Sequence, residues 1–310
     1  GIITANSVSV TRAGSGATTI DSIDATTTLT VVNNSSGTMT ITTSDAEGDT
    51  NISTTAGVLA ATTLSTDNVT LTGGSMDDTL VASGTTEAGK THTLSGGAGA
   101  DGITGGGGND VLLGGSGNDT ITAGAGKDSI DAGAGTDSIV MSTNLVSTDT
   151  ISGGDGTDTL TATVAANYSG TITGVEVLSL NFTAADNGTF SFENIDSVAT
   201  IVVVADTDND AVILGSVASG TTVRINDADI VTTIDTVADA SLTVDVRSPV
   251  SGTEETLTVT DAESVTVTSG TAVANGTANI VLDAVDTTAL TVVAAAGAAL
   301  TTGAITGTNK

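Results

Sequence analysis

The chain has no cysteine, no tryptophan and a single proline; aromatic residues are 1% of it, and only six of its 310 residues are Lys or Arg. Each shortage removes a class of protein. With so few large aromatic side chains a thick globular core is not expected, whereas a thin core of Val, Ile, Leu and Ala inside a coil suits the composition. One proline beside many Val, Ile and Thr residues points to strands rather than helices. Six basic residues against 36 acidic ones leave a formal charge of −30, which argues against nucleic acid as a partner. The only histidine, His92, cannot build a His-rich zinc site. Long apolar runs are missing too. The longest, ALTVVAAAGAAL at 289–300, is broken by Thr and Gly and is shorter than the roughly 18 residues of a membrane-spanning helix, so no transmembrane segment is expected. The chain starts at Gly1 without a charged-then-apolar leader, which leads us to expect a processed or excised piece of a longer protein.

What the chain has in quantity is glycine, 39 residues of it, and much of that glycine is periodic. Residues 96–140 read GGAGADGIT, GGGGNDVLL, GGSGNDTIT, AGAGKDSID and AGAGTDSIV without a gap, and GGDGTDTLT follows at 153–161. The template is G-G-x-G-x-D-x-U-x, where U is a large apolar residue, and a nine-residue period with Asp and Ile/Leu both in phase marks a solenoid. Glycine at positions one, two and four is expected to permit positive φ, so that six residues turn tightly and aim carbonyl oxygens inward: Gly97, Gly99, Gly106, Gly108, Gly115, Gly117, Gly124 and Gly126 are the turn glycines. The last three residues make a minimal strand that sends Ile103, Leu112, Ile121, Ile130 and Ile139 inward.

Two repeats then make one coil of a flat parallel spiral. Asp101, Asp119 and Asp137 fall along one edge, with Asp110 and Asp128 along the other. Coils are spaced by roughly 4.8 Å, and carboxylates that close repel by roughly 1 kcal/mol per pair even in water. A hard cation between the turns, held by carboxylate and carbonyl oxygens, would cancel the repulsion. Flexible loops offering six or more oxygens suit Ca²⁺ better than Mg²⁺. On this reading loss of Asp119, between two neighbours, costs more than loss of Asp101 or Asp137 at the ends.

These repeats resemble the RTX calcium-binding β-rolls that Gram-negative bacteria secrete through type I machinery. The resemblance covers 73–161 and carries the calcium-ligand role onto Asp101, Asp110, Asp119, Asp128, Asp137 and Asp158. Asp78 is a weaker match, because Met76 replaces the third glycine of GGSMDDTLV (73–81). Asp149 survives with Ile151 in NLVSTDTIS (144–152), which has lost its glycines. EAGKTHTLS (87–95) keeps Leu94 but puts His92 where Asp belongs, and reads as a strand with a surface histidine and no good metal loop. A phosphate-cradling role for the glycine loops is disfavoured: no Lys-Ser/Thr follows, and each loop carries an Asp that would repel phosphate.

The flanks read as strands. NSVSVT (6–11), TLTVVN (28–33), TMTITTSD (38–45) and NVTLTGG (68–74) alternate apolar and polar residues, as one-faced strands do. After Asp158 come TGVEVLSLNF (173–182), ATIVVVAD (199–206), TTVRINDAD (221–229), ASLTVDV (240–246), ETLTVTDAESVTVTSG (255–270), ANIVLDAV (278–285) and ALTVVAA (289–295). Recurring strands ended by polar turns fit a wider β-helix stacked on the roll, with an antiparallel β-sandwich as the alternative. The expected fold is therefore all-β, a right-handed parallel β-solenoid with a central calcium-binding roll: an N-terminal strand region at 1–72, the roll at 73–161, and a β-helix or β-sandwich at 162–310. DTDND (206–210) spaces three Asp residues like the start of an EF-hand but lacks its Gly and distal Glu, so a solvated turn competes with a further calcium site.

Three function classes are open. The Thr- and Val-rich strands resemble the solenoids of RTX-containing bacterial surface-layer proteins, which implies a calcium-dependent, self-assembling protein on the extracellular face of a Gram-negative cell. Its partners would be other copies of itself and, through a part not in this sequence, outer-membrane lipopolysaccharide. The lack of cysteine fits such a secreted surface protein. The second class is the stalk of an RTX adhesin, and the third is the accessory roll of a secreted enzyme or toxin. No G-x-S-x-G or H-E-x-x-H is present, so no catalytic residues and no enzyme activity are expected.

Overall fold

A computed structural model describes residues 2–12, 15–20, 22–34, 36–41, 44–46, 50–55, 57–63, 68–82, 90–142, 145–164, 167–182, 188–204, 211–226, 231–246, 255–269, 278–283 and 289–293. Among them every regular element is a strand, and the strands pair in parallel. The acidic stretch 206–210 and the beginning of EAGKTHTLS, residues 87–89, lie outside the described residues. The chain divides into two compact units, Gly1–Leu160 with Ile172–Val175, and Thr161–Thr171 with Glu176–Lys310.

In the first unit successive strands alternate between two parallel sheets, as a flattened coil requires. One sheet runs Ile2–Arg12, Ser22–Asn33, Thr50–Thr54, Val69–Thr72, His92–Ala98, Val111–Ser116, Ser129–Gly135 and Thr150–Gly156. The other takes the strands between them: Thr18–Ile20, Met39–Ile41, Leu59–Thr63, Thr79–Ala82, Gly102–Gly107, Thr120–Ala125 and Ser138–Ser142. Pairing passes without interruption through residues 72 and 73, since Val69–Thr72 pairs with His92–Ala98 and Leu59–Thr63 with Thr79–Ala82. The N-terminal strands and the glycine-rich roll are one stack.

The core is thin because each coil contributes few side chains to it. Leu94, Leu112, Ile130 and Ile151 stand in register in the first sheet, and Leu80, Ile103, Ile121 and Ile139 in the second. All eight are buried. Neighbours along each strand point outward and are more exposed, for example in Val111–Ser116 and Thr120–Ala125. The period of two seen in the sequence is thus the inside–outside alternation of the wall.

The second unit is a solenoid as well. Val177–Phe182 pairs with Thr200–Val204, which pairs with Thr222–Ile225, which pairs with Val231–Val246. Gly188–Ser191 begins a second series through Ala211–Val217 to the first half of Val231–Val246. Long strands such as Val231–Val246 and Glu255–Ser269 turn through both series, with register shifts between Asp235 and Ser241. Among the described residues every pairing of this unit is parallel, which makes it a solenoid; a β-sandwich is built from antiparallel pairs. Leu178, Ile201, Val223 and Val244 form one buried column. Most of the chain's scarce aromatics stack in this unit, Tyr168 on Phe190 at 4.8 Å and Phe190 against Phe192 at 5.0 Å.

Candidate metal centre

The turns of the roll are shaped by glycine, but not in the way the template suggests for all three positions. Positions two and four lie at positive φ: Gly97 at 110°, Gly99 at 122°, Gly106 at 101°, Gly108 at 124°, Gly115 at 115°, Gly117 at 126°, Gly124 at 109° and Gly126 at 136°. Position one does not. At Gly96, Gly105 and Gly114 the constraint is crowding: a Cβ would press on the Oδ2 of the loop's own aspartate and on a carbonyl oxygen of the next coil. Buried alanines nevertheless stand in that position at Ala123 and Ala132, so it is the less demanding of the three.

The motif aspartates are buried and stacked in two rows. In the first, Asp78 N–H donates to Asp101 Oδ1 at 2.7 Å, Asp101 to Asp119 at 2.8 Å, Asp119 to Asp137 at 2.7 Å and Asp137 to Asp158 at 2.8 Å. In the second, His92 N–H donates to Asp110 Oδ1 at 3.0 Å, Asp110 to Asp128 at 3.0 Å and Asp128 to Asp149 at 2.9 Å. The rungs within the clean repeats are 18 residues apart, two repeats per coil. Asp101 and Asp137 are therefore interior members of a longer row, and the expectation that they stand at its ends is corrected. One oxygen of each carboxylate stitches adjacent coils, a role the motif does not announce.

The other oxygen is different. Oδ2 of Asp101, Asp110, Asp119, Asp128 and Asp137 is buried with no hydrogen-bond partner. Such an atom costs about 1–3 kcal/mol, more when charged, unless something binds it. Beside Asp101 Oδ2 lies the carbonyl of Gly114; beside Asp110 Oδ2, that of Ala123; beside Asp119 Oδ2, that of Ala132. The donor set is thus oxygen only, carboxylate plus main chain, on glycine loops. Among the described residues no three acidic or histidine side chains converge on one point. That fits, because each loop supplies one carboxylate and its main chain must supply the remainder.

Burial pushes the carboxyls up. Asp101 and Asp128 rise to about 6, mainly because they are desolvated, with the N–H bonds from Asp78 and Asp110 pulling back and neighbouring carboxylates adding to the rise. Asp119 and Asp137 are raised for the same first reason. His92 is a correction to the sequence reading: it is buried, not on the surface. Its Nδ1 lies 3.0 Å from Gly105 O and 3.1 Å from Asp110 Oδ1. Desolvation opposes charge on the ring, but the Asp110 hydrogen bond and charge outweigh it and hold the imidazole above its ordinary value.

Residues 93–112, 104–139 and 147–163 match the RTX calcium-binding nonapeptide repeat, in four copies. This segment is an RTX β-roll. The chain matches no curated protein and no solved structure. The unpartnered Oδ2 atoms and the oxygen-only loops of the roll fit calcium, a hard cation that takes carboxylate and carbonyl ligands together. Asp101, Asp110, Asp119, Asp128 and Asp137 would hold it, and the positive charge would satisfy the Oδ2 atoms that the fold leaves buried without hydrogen-bond partners. Asp158 is buried in the same row. Asp78 and Asp149 sit at row ends, and their Oδ2 atoms accept N–H bonds from Gly74 and Val146.

One set of stitching residues escaped the sequence reading. At position five Asp77 accepts from Ala100 N–H at 2.8 Å, Asn109 from Lys127 at 3.0 Å and Asn118 from Thr136 at 2.9 Å. The recurring Asn-Asp and Asp-Asp pairs at positions five and six were the available signal.

Proposed function

We propose that this is a calcium-dependent structural protein of the bacterial cell surface, exported by a type I route, whose copies assemble into a layer or filament once Ca²⁺ fills the roll. The observation that carries it is the row of buried carboxylate oxygens without partners in a segment of RTX repeats. Extracellular calcium modules bind at about 10⁻⁴–10⁻³ M. At cytosolic calcium the roll is then unfilled, and a chain of net charge −30 repels itself and its copies. Outside the cell each bound ion stabilises the folded state by RT ln(1 + [L]/Kd), so several coupled sites respond steeply. Exposed carboxylates such as Asp131 and Asp155 offer further contacts for cations between copies. The sole imidazole is buried against Asp110 and is not presented to a substrate, which favours a structural role over a catalytic one.

The test is a calcium titration at constant ionic strength, followed by far-ultraviolet circular dichroism and by negative-stain electron microscopy of the same samples. We expect β-structure and ordered sheets or filaments to appear together near millimolar calcium and to vanish with chelator. A chain that folds with calcium yet stays monomeric would overturn the assembly reading in favour of a stalk or an accessory roll.

A further inference from the structure

Asp78 and Asp149 treat their second oxygen differently from the five aspartates of the repeats at 96–140. Asp78 Oδ2 accepts the N–H of Gly74 at 2.7 Å, and Asp149 Oδ2 accepts the N–H of Val146 at 2.8 Å. Their Oδ1 atoms are occupied as in the other repeats, by the N–H groups of Leu59 and Asp128. Both carboxylates are buried, and both have a main-chain donor on each oxygen. The five clean-repeat aspartates have a donor on one oxygen only.

The sequence explains the difference locally. In 73–81 Met76 stands where the third glycine belongs, and its side chain is left exposed. In 144–152 the glycines are gone, and residues 146–149 close on themselves: Asp149 N–H donates to Val146 O at 3.0 Å while Val146 N–H returns the bond to Asp149 Oδ2. A loop that satisfies its own carboxylate has no orphaned oxygen to offer a cation. These two loops lie at the ends of the carboxylate rows: Asp78 begins the first, Asp149 finishes the second, and the second starts at His92, which brings no carboxylate.

We propose that Asp78 and Asp149 are calcium-independent clamps, each closing one end of its row by main-chain hydrogen bonds, so that calcium is confined to the other loops of the two rows. The proposal rests on the calcium reading above. It assigns the degenerate repeats a positive task, which is to end a row of cations without leaving a bare carboxylate at the boundary.

The experiment compares Asp78→Asn, Asp149→Asn and Asp119→Asn in the full chain, with bound calcium counted by equilibrium dialysis against ⁴⁵Ca²⁺ at saturation and folding followed by circular dichroism. Asp119→Asn should lose at least one ion per chain. Asp78→Asn and Asp149→Asn should keep the wild-type number, with a calcium midpoint within about twofold of wild type, and should melt at lower temperature because an amide nitrogen then faces a main-chain N–H. Loss of an ion from either folded variant would overturn the proposal. If a variant does not fold, anomalous diffraction from crystals of the wild-type chain grown with calcium reads the same point, and an ion in contact with Asp78 or Asp149 overturns it. A wild-type chain that binds no calcium at all would instead sink the calcium reading itself.

Discussion

Asp119 divides its carboxylate between two tasks: Oδ1 accepts the Asp101 N–H, and Oδ2 is buried without a partner beside the Ala132 carbonyl. The motif made that aspartate a ligand candidate; that its other oxygen is a structural rung depends on a residue 18 positions away and is invisible in any one repeat. The raised carboxyls set a pH dependence. Asp101 and Asp128 sit at about 6 in the folded chain against an ordinary 3.8, so between those values the folded state binds more protons than the unfolded one. Without calcium, stability is then greatest at low pH and falls as pH rises through about 6. Circular dichroism in chelator, taken from pH 7.5 down to 4.5, should show β-structure recovering as the carboxyls protonate, and a signal that falls toward low pH would contradict the buried-carboxylate account. With saturating calcium the slope should reverse, because protons then compete with the cation for the same oxygens. Glycine supplies a second contrast. Gly117, at φ 126°, lies where side chains are strained, and an added Cβ would also strike Gly99 O. Gly117→Ala should destabilise the calcium-loaded roll by on the order of 1–3 kcal/mol from backbone strain alone. Gly114→Ala should cost less, since Ala123 and Ala132 fill the equivalent position; equal losses in calcium-saturated melts would refute the distinction.

At the scale of the element, a strand here is only a wall segment with one or two inward side chains, and its stability comes from the column it joins. Ile121 touches that logic directly, being fully buried and in register with Ile103 and Ile139. Ile121→Ala should lower stability by about 2–5 kcal/mol, as cavity-forming core truncations do. Denaturant unfolding in excess calcium would check it, and a loss well under 1 kcal/mol would mean the column is not the core. Strand existence could be read from alternation, as at ASLTVDV, where Leu242 and Val244 are buried within Val231–Val246, and TTVRINDAD, where Thr222–Ile225 forms. Pairing direction could not. A period of two describes which face a residue takes and is silent on whether the neighbouring strand runs the same way, which is why sandwich and solenoid stayed open for the C-terminal strands.

For the whole molecule, the charge of −30 and the carboxylate rows belong together, because a chain this acidic gains by holding cations inside its fold. Charge, the scarcity of aromatics, the nine-residue period, the inward Ile and Leu positions and the in-phase aspartates were determined by the sequence by itself. They follow from composition and from spacing along one strand and one turn. The tertiary structure alone decided which oxygen of each clean-repeat carboxylate is left without a partner, that His92 is buried against Asp110, and that Asp78 and Asp149 close their own loops. The first two depend on a neighbouring coil: a hydrogen bond between coils joins residues 18 to 23 positions apart, and no local pattern says which N–H will point at which oxygen.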